Sequence, residues 1–238
     1  MKKKLGILGG MGSYATQVFF KNILDHTKVN CDNDHLDIII YNHSSIPDRT
    51  EYILSGREDE LFDVLLEDCR MLQNMGAQHI AISCNTSHYF ADRLQDNIDI
   101  PIINMVRETV NEIYSKVKKI KKIGIMATEG TVLSDIYGKE CKKLGIEAVY
   151  PSPDMQEKVT DIIYNQIKRS LHGNYEEFLE ISEELLSMGA EVIVLSCTEL
   201  SVFKSEHNLP PIYVDALDVL TKKCIVLSGG IYEEVKLK

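Results

Sequence analysis

The chain has no tryptophan, and aromatic residues make up 7% of its 238 positions. Basic and aromatic residues do not interleave, as they would on a nucleic-acid-binding surface. Positive charge is also short: 26 Lys and Arg stand against 36 Asp and Glu, a formal net charge of −10. Such a surface repels nucleic acid and anionic membranes, although a local pocket can hold the opposite sign. No stretch approaches the ~18 apolar residues of a membrane span. The opening MKKK has the charge of a signal peptide's first segment, but LGILGGMGS after it is too short and glycine-rich for the apolar core of one. None of the six cysteines forms a CxxC pair, which excludes zinc ribbons and thioredoxin-type motifs. The seven histidines show no HxH or HxxxH spacing, so no metal site is implied. The expectation is a cytoplasmic protein with free thiols and neither a nucleic-acid nor a membrane partner.

What is present is ordinary for a globular enzyme: 44% apolar and 26% charged residues, enough for one large domain or two small ones. The one basic cluster, Lys116–Lys122, reads as a solvated helix end. Strand and helix signals alternate. Lys4–Gly9, Asp37–Tyr41, His79–Ser83 and Ile100–Ile103 read as strands. Tyr14–Lys28 reads as a helix, as does Glu58–Met75, where Leu61, Val64, Leu65, Cys69 and Leu72 share one face. This alternation predicts an α/β fold with a mainly parallel sheet covered by helices.

The pattern then restarts. KIGIM at 122–126 resembles KLGIL at 4–8, at an offset of 118 residues. Met188–Gly189–Ala190 followed by EVIVLSCTEL repeats Met75–Gly76–Ala77 followed by HIAISCNTSH, at an offset of 113, and the Pro211 segment follows the Pro101 segment by 110. Alternation alone recurs in any α/β protein, but identities repeated in order at nearly constant offset do not. The period is far above that of a solenoid. Two similar α/β lobes about a pseudo-twofold are predicted, the first from residues 1–103 and 214–238 and the second from 104–213, with the active site in the cleft between them.

Two cysteines stand out against the ordinary reading of a buried thiol as an inert small hydrophobe. Cys84 follows the strand HIAIS and Cys197 follows EVIVLS. Ligands of open α/β sheets bind beyond the carboxyl ends of the strands, so both cysteines belong on binding edges. A helix amino terminus after each would lower its thiol pKa and offer N–H groups to an anion. A pseudo-twofold brings the two thiols to one cleft from opposite sides. Racemisation at Cα needs that arrangement, with a base on one face and an acid on the other. Asn85, Thr86 and Thr198 could supply donors to the substrate carboxylate.

The loop Gly9–Gly10–Met11–Gly12–Ser13 fits a GxGxxA pattern at Gly10, Gly12 and Ala15, but that is a weak signal alone. The next strand lacks the ribose-binding acid, so the loop reads instead as a place where backbone approaches a small carboxylate. Arg49, in IPDRT, suits a carboxylate grip, yet a lone loop arginine is more often a surface residue or a partner of an acid such as Asp48. Lys168 lies on a predicted helix and would ordinarily face solvent. His43 and His88 lie near the site and can be structural.

At these residues the sequence resembles the aspartate/glutamate racemase family. The matching segments are GILGGMGSYAT (6–16), IPDRT (46–50), SCNTSH (83–88), IPIINM (100–105), QEKV with IIYNQIK (156–168) and SCTEL (196–200). GGMG and IPDRT resemble the aspartate racemase branch. The resemblance implies two Rossmann-like lobes with parallel sheets, no cofactor and a homodimer. It implies that Cys84 and Cys197 are the catalytic acid/base pair. Its substrate-binding set would comprise Gly10, Met11, Arg49, Asn85, Thr86, Ser87, Lys168, Thr198 and Glu199, with Arg49 and Lys168 on the side-chain carboxylate of an acidic amino acid. Ser13 stands where proline is common. The expected activity is interconversion of L- and D-aspartate, with glutamate as a further substrate. Two alternatives remain: a cysteine-dependent isomerase or decarboxylase of a related dicarboxylate, and a non-catalytic protein that binds an acidic ligand.

Overall fold

The computed structural model describes residues 2–234. The chain runs β1 (Leu5–Gly9), α1 (Ser13–His26), β2 (Ile38–Asn42), α2 (Arg49–Leu54), α3 (Glu58–Asn74), β3 (His79–Ile82), α4 (Ala91–Gln95), β4 (Ile102–Ile103) and α5 (Met105–Lys116). It then repeats that plan with β5 (Lys122–Ala127), α6 (Glu129–Leu133), α7 (Ile136–Lys143), β6 (Glu147–Val149), α8 (Pro153–Thr160), α9 (Tyr175–Ser187), β7 (Val192–Ser196), α10 (Thr198–Glu206), β8 (Tyr213–Asp215) and α11 (Ala216–Leu227).

Two four-stranded sheets result, with orders β2-β1-β3-β4 and β6-β5-β7-β8. Every pairing within them is parallel. The central strands β1, β3, β5 and β7 are almost wholly apolar because helices cover both faces of each sheet. The α3 helix shows the cause directly. Leu61, Leu65, Cys69 and Leu72 recur at helical spacing and are fully buried against Leu8, Ile80 and Ile82 of the first sheet. Three acids in its first turn suit the positive end of the helix.

The core has three parts. One cluster lies under α2, α3 and α4 on the outside of the first sheet. A second lies under α8, α9 and α10 on the outside of the other. The third joins Leu5 and Ile7 of β1, Ile123 and Ile125 of β5, and the inner sides of α1, α5 and α11. The two sheets therefore share a central apolar layer. The boundary read between residues 213 and 214 falls inside β8, where Val214 and Asp215 pair with Val194 and Leu195 of the second sheet. We propose the same two lobes with the return crossing moved to Asp215–Ala216; residues 235–238 of the first-lobe segment lie outside the described residues. No helix among the described residues is long and apolar enough to cross a membrane.

Because the two sheets share one strand order, their central strands end alike. Gly10 follows β1 and Thr128 follows β5. Cys84 follows β3 after Ser83, and Cys197 follows β7 directly.

Candidate active site

Cys84 and Cys197 line one small chamber between the sheets. Met11, Arg49, Asn85 and Thr86 line it from the first half of the chain, and Lys168, Thr198 and Glu199 from the second. The enclosed volume is about 10 Å³, room for one water-sized sphere. A cavity of about 370 Å³ shares Met11, Arg49, Lys168 and Glu199 with the chamber and forms its mouth. A ligand larger than a water molecule would need this chamber to widen before it could touch both thiols.

Cys84 leads into a 3-10 turn at Thr86–Phe90. His88, in that turn, is buried, and burial pushes its pKa down against the opposing backbone hydrogen bonds. Its Nδ1–H donates to the Cys84 carbonyl at 2.8 Å and fixes the backbone beneath the thiol.

Cys197 caps the amino terminus of α10. A helix dipole there would favour the thiolate, but it does not prevail. Burial, followed by the charge of Glu199, pushes the Cys197 thiol well above its ordinary range, against the opposing pull of Lys168. The sulfur donates to Glu199 Oε2 at 3.0 Å, and Thr198 Oγ1 donates to the same oxygen at 3.4 Å.

Arg49 opens α2, and Asp48 caps that helix by accepting from the Glu51 amide. Its guanidinium is buried. Burial alone would lower its pKa, but the charges of Cys84 and Asp48 outweigh this and raise it. Nη1 donates to the carbonyls of Pro47 at 3.0 Å and Ile46 at 3.4 Å, and Nη2 donates to Met11 O at 3.1 Å. Of its three nitrogens, Nε is the one that is buried without a partner. Asn85 Nδ2 is likewise buried and unpartnered, while its Oδ1 accepts from Tyr137. Two buried donors without partners, on residues that line one chamber, are costly, and an anion that accepted from them would remove the cost.

Lys168 is exposed, as its place on a helix implies, and still lines both the chamber and its mouth. Before it, α8 continues through a π-helical turn at Asp161–Gln166 and a 3-10 turn at Ile167–Arg169. This break in helical spacing turns Tyr164 and Lys168 into the chamber. The Lys168 ammonium lies 3.9 Å above the Tyr164 ring and 3.7 Å from Asp48 Oδ2.

Two of the residues expected in the binding set lie elsewhere. Gly10 lines the mouth, not the chamber. Its φ of +93° is left-handed, and a Cβ there would meet the His43 carbonyl carbon at 2.4 Å, so glycine is needed for packing. Ser87 is fully buried behind the wall and donates to Met11 Sδ at 3.3 Å. His43 pairs with the buried Asp68 at 2.8 Å.

Three chamber residues escaped the sequence reading: Thr50, Thr128 and Tyr164. Thr86, Thr128 and Thr131 form a triangle of hydroxyls with sides of 3.0 to 3.1 Å that joins the two halves of the chain. The duplication held a signal for Thr128, which stands 118 residues after Gly10. Tyr164 donates to Thr50 at 3.1 Å, also across the halves. Behind Thr50, Gly130 sits so close that a Cβ would lie 2.9 Å from the Thr50 Cα. Gly130→Ala is therefore expected to wedge α6 from α2 and lower kcat/KM about tenfold, since small misplacements are costly in a positioned site. Steady-state kinetics beside a melting curve checks this; unchanged kinetics would show that the close approach is not needed.

Among the described residues, no group of three or more His, Cys, Asp or Glu side chains could hold a metal ion. A family model described as Asp/Glu/Hydantoin racemase matches residues 8–224. The chain belongs to that family. Broad specificity amino-acid racemase RacX of Bacillus subtilis is 29% identical over 226 residues, covering 93% of this chain and 96% of that protein. The aspartate racemase of Picrophilus torridus superposes with a TM-score of 0.80 at 24% identity, covering 97% of this chain and 96% of the other. An aspartate racemase homologue from Pyrococcus horikoshii superposes at 0.74 with 24% identity, covering 96% and 100%. These two likenesses bear on the fold, and membership of the racemase family rests on the match across residues 8–224.

Proposed function

We propose that the chain interconverts the enantiomers of an acidic amino acid, aspartate first, by two-base proton transfer between Cys84 and Cys197. The observation that carries this reading is that both thiols line one chamber with Arg49 and Asn85, each of which has a buried nitrogen without a partner. One thiolate takes the Cα proton and becomes a thiol. The Cα–H electron pair passes into the α-carboxylate, which the donors hold. The opposite thiol returns a proton to the other face and becomes the thiolate. Both proton roles are filled by side chains, so the reaction as written needs no cofactor. The two thiols are unequal. Burial, together with the Glu199 carboxylate, holds the proton on Cys197, and among the described residues Cys84 has no such acid beside it in the hydrogen-bond network. We assign the resting acid to Cys197.

One observation favours a wider substrate range. The Arg49 fork is committed to three backbone carbonyls, and Lys168 faces Asp48, so a bidentate grip on a side-chain carboxylate is not preformed. Proton NMR in D2O with L-aspartate, L-glutamate, L-alanine and L-lysine separates the readings. The acidic reading expects loss of the Cα–H signal to be fastest for aspartate. Equal loss for lysine or alanine overturns that preference but keeps the racemase. Loss for none of the four, in reduced and folded protein, returns the weight to the dicarboxylate isomerase or the binding protein. A homodimer in the reducing cytoplasm completes the proposal. Light scattering tests the dimer.

A further inference from the structure

Tyr137 is the largest side chain among those fully buried, and no step of the reaction above uses it. It stands on α7, in the second half of the chain. Its hydroxyl donates to Asn85 Oδ1 at 2.6 Å, across to the loop that carries Cys84. Burial raises its pKa, opposed in part by the nearby side chains of Ser196 and Thr109, so the phenol keeps its proton. Ser196 immediately precedes Cys197. The hydroxyl thus lies between the two segments that deliver the thiols.

An asparagine amide has two ends of opposite character, and its orientation is set by whatever it bonds. The Tyr137 donor takes the oxygen, which leaves Nδ2 as the end without a protein partner. Asn85 lines the thiol chamber. Without the phenol proton, either end could face the chamber, and the oxygen end would repel a carboxylate.

We propose that Tyr137 is a positioning residue that orients the Asn85 amide so that its N–H, and not its oxygen, is presented to the substrate carboxylate. Because Tyr137 comes from the opposite half of the chain, this donor is set correctly only while the two halves are together. The proposal rests on the racemase reading for the ligand, but the orientation of the amide does not.

Tyr137→Phe keeps the ring and removes the hydroxyl. With Asn85→Ala and the double variant it forms a cycle in kcat/KM for the amino acid that turns over fastest. The expected result is a loss of at least about tenfold in Tyr137→Phe, a scale set by single oriented donors. In the Asn85→Ala background the same change should cost less than about twofold, because its target is gone. Losses that multiply in the double variant would overturn the proposal, since Tyr137 would then act by another route. A second readout needs no turnover. The Asn85 side-chain NH2 pair, assigned in 15N-labelled protein by its loss in Asn85→Ala, should shift or broaden in Tyr137→Phe. An unmoved pair would overturn the proposal even in an active enzyme. Absence of turnover with every amino acid would sink the racemase reading and leave the amide resonances to decide the role of Tyr137.

Discussion

Removing either thiol is expected to lower racemisation of aspartate by about 10²–10⁴-fold, the range of a positioned acid or base. Cys84→Ala and Cys197→Ala should both do so with little loss of fold, because each deletes one small side chain at a chamber wall. Their residual chemistry should differ. With Cys197 gone, Cys84 remains, and it can remove and return a proton on one face only. One enantiomer then exchanges its Cα proton with solvent without inverting. With Cys84 gone, the remaining thiol is buried against Glu199 and holds its proton, so exchange falls as well as inversion. Chiral chromatography beside NMR exchange in D2O separates these outcomes. Inversion in either variant at more than a tenth of the parent rate would contradict the two-thiol account.

The second large effect concerns pH. Burial and Glu199 hold the Cys197 thiol protonated well above the usual thiol range. As the resting acid, Cys197 must keep its proton, so its loss sets the alkaline limb of the rate profile. A raised pKa moves that limb upward, and the parent protein should stay active beyond pH 9. Glu199→Gln removes the carboxylate charge and leaves burial in place. The alkaline limb should therefore move to lower pH, because one of the two causes that raise the thiol's pKa is gone. The two thiols titrate as a pair, so the limbs belong to the pair. Enantiomers have equal free energy, so kcat/KM must be the same in both directions at every pH. The inequality of the thiols therefore shows in kcat and KM separately, and Glu199→Gln should bring the two enantiomers' KM values closer. A limb that stays in place would remove Glu199 from control of Cys197.

The parts of this site that the sequence exposed are those tied to regular structure. The strand KLGIL recurring as KIGIM, and SC placed after HIAI and EVIVL, located both thiols, because parallel strands fix what lies at their ends. Helical periodicity located α3 for the same reason. The parts that stayed hidden depend on contacts between distant segments or on irregular backbone. Tyr164 enters the chamber from a π-helical turn, which a 3.6-residue period does not describe. Thr50 and Thr128 belong to opposite halves and become site residues only when those halves meet. Tyr137 reads as a core aromatic until its hydroxyl is seen on Asn85. Local cues also misdirect. A helix terminus at Cys197 points to a lowered pKa, and burial beside Glu199 reverses it. Gly10 suggests a ligand contact, while its left-handed φ and its packing on His43 explain it.

The central claim is that protons are exchanged from two faces by two different groups. It is tested most directly by following where deuterium goes in the first few per cent of turnover. L-aspartate, and separately D-aspartate, are incubated with the protein in D2O, and substrate and product are resolved before analysis. A two-base mechanism predicts that the inverted product carries deuterium at Cα while the unreacted substrate keeps protium, in both directions. Deuterium appearing in the remaining substrate as fast as in the product would mean that one group serves both faces, and would contradict the account.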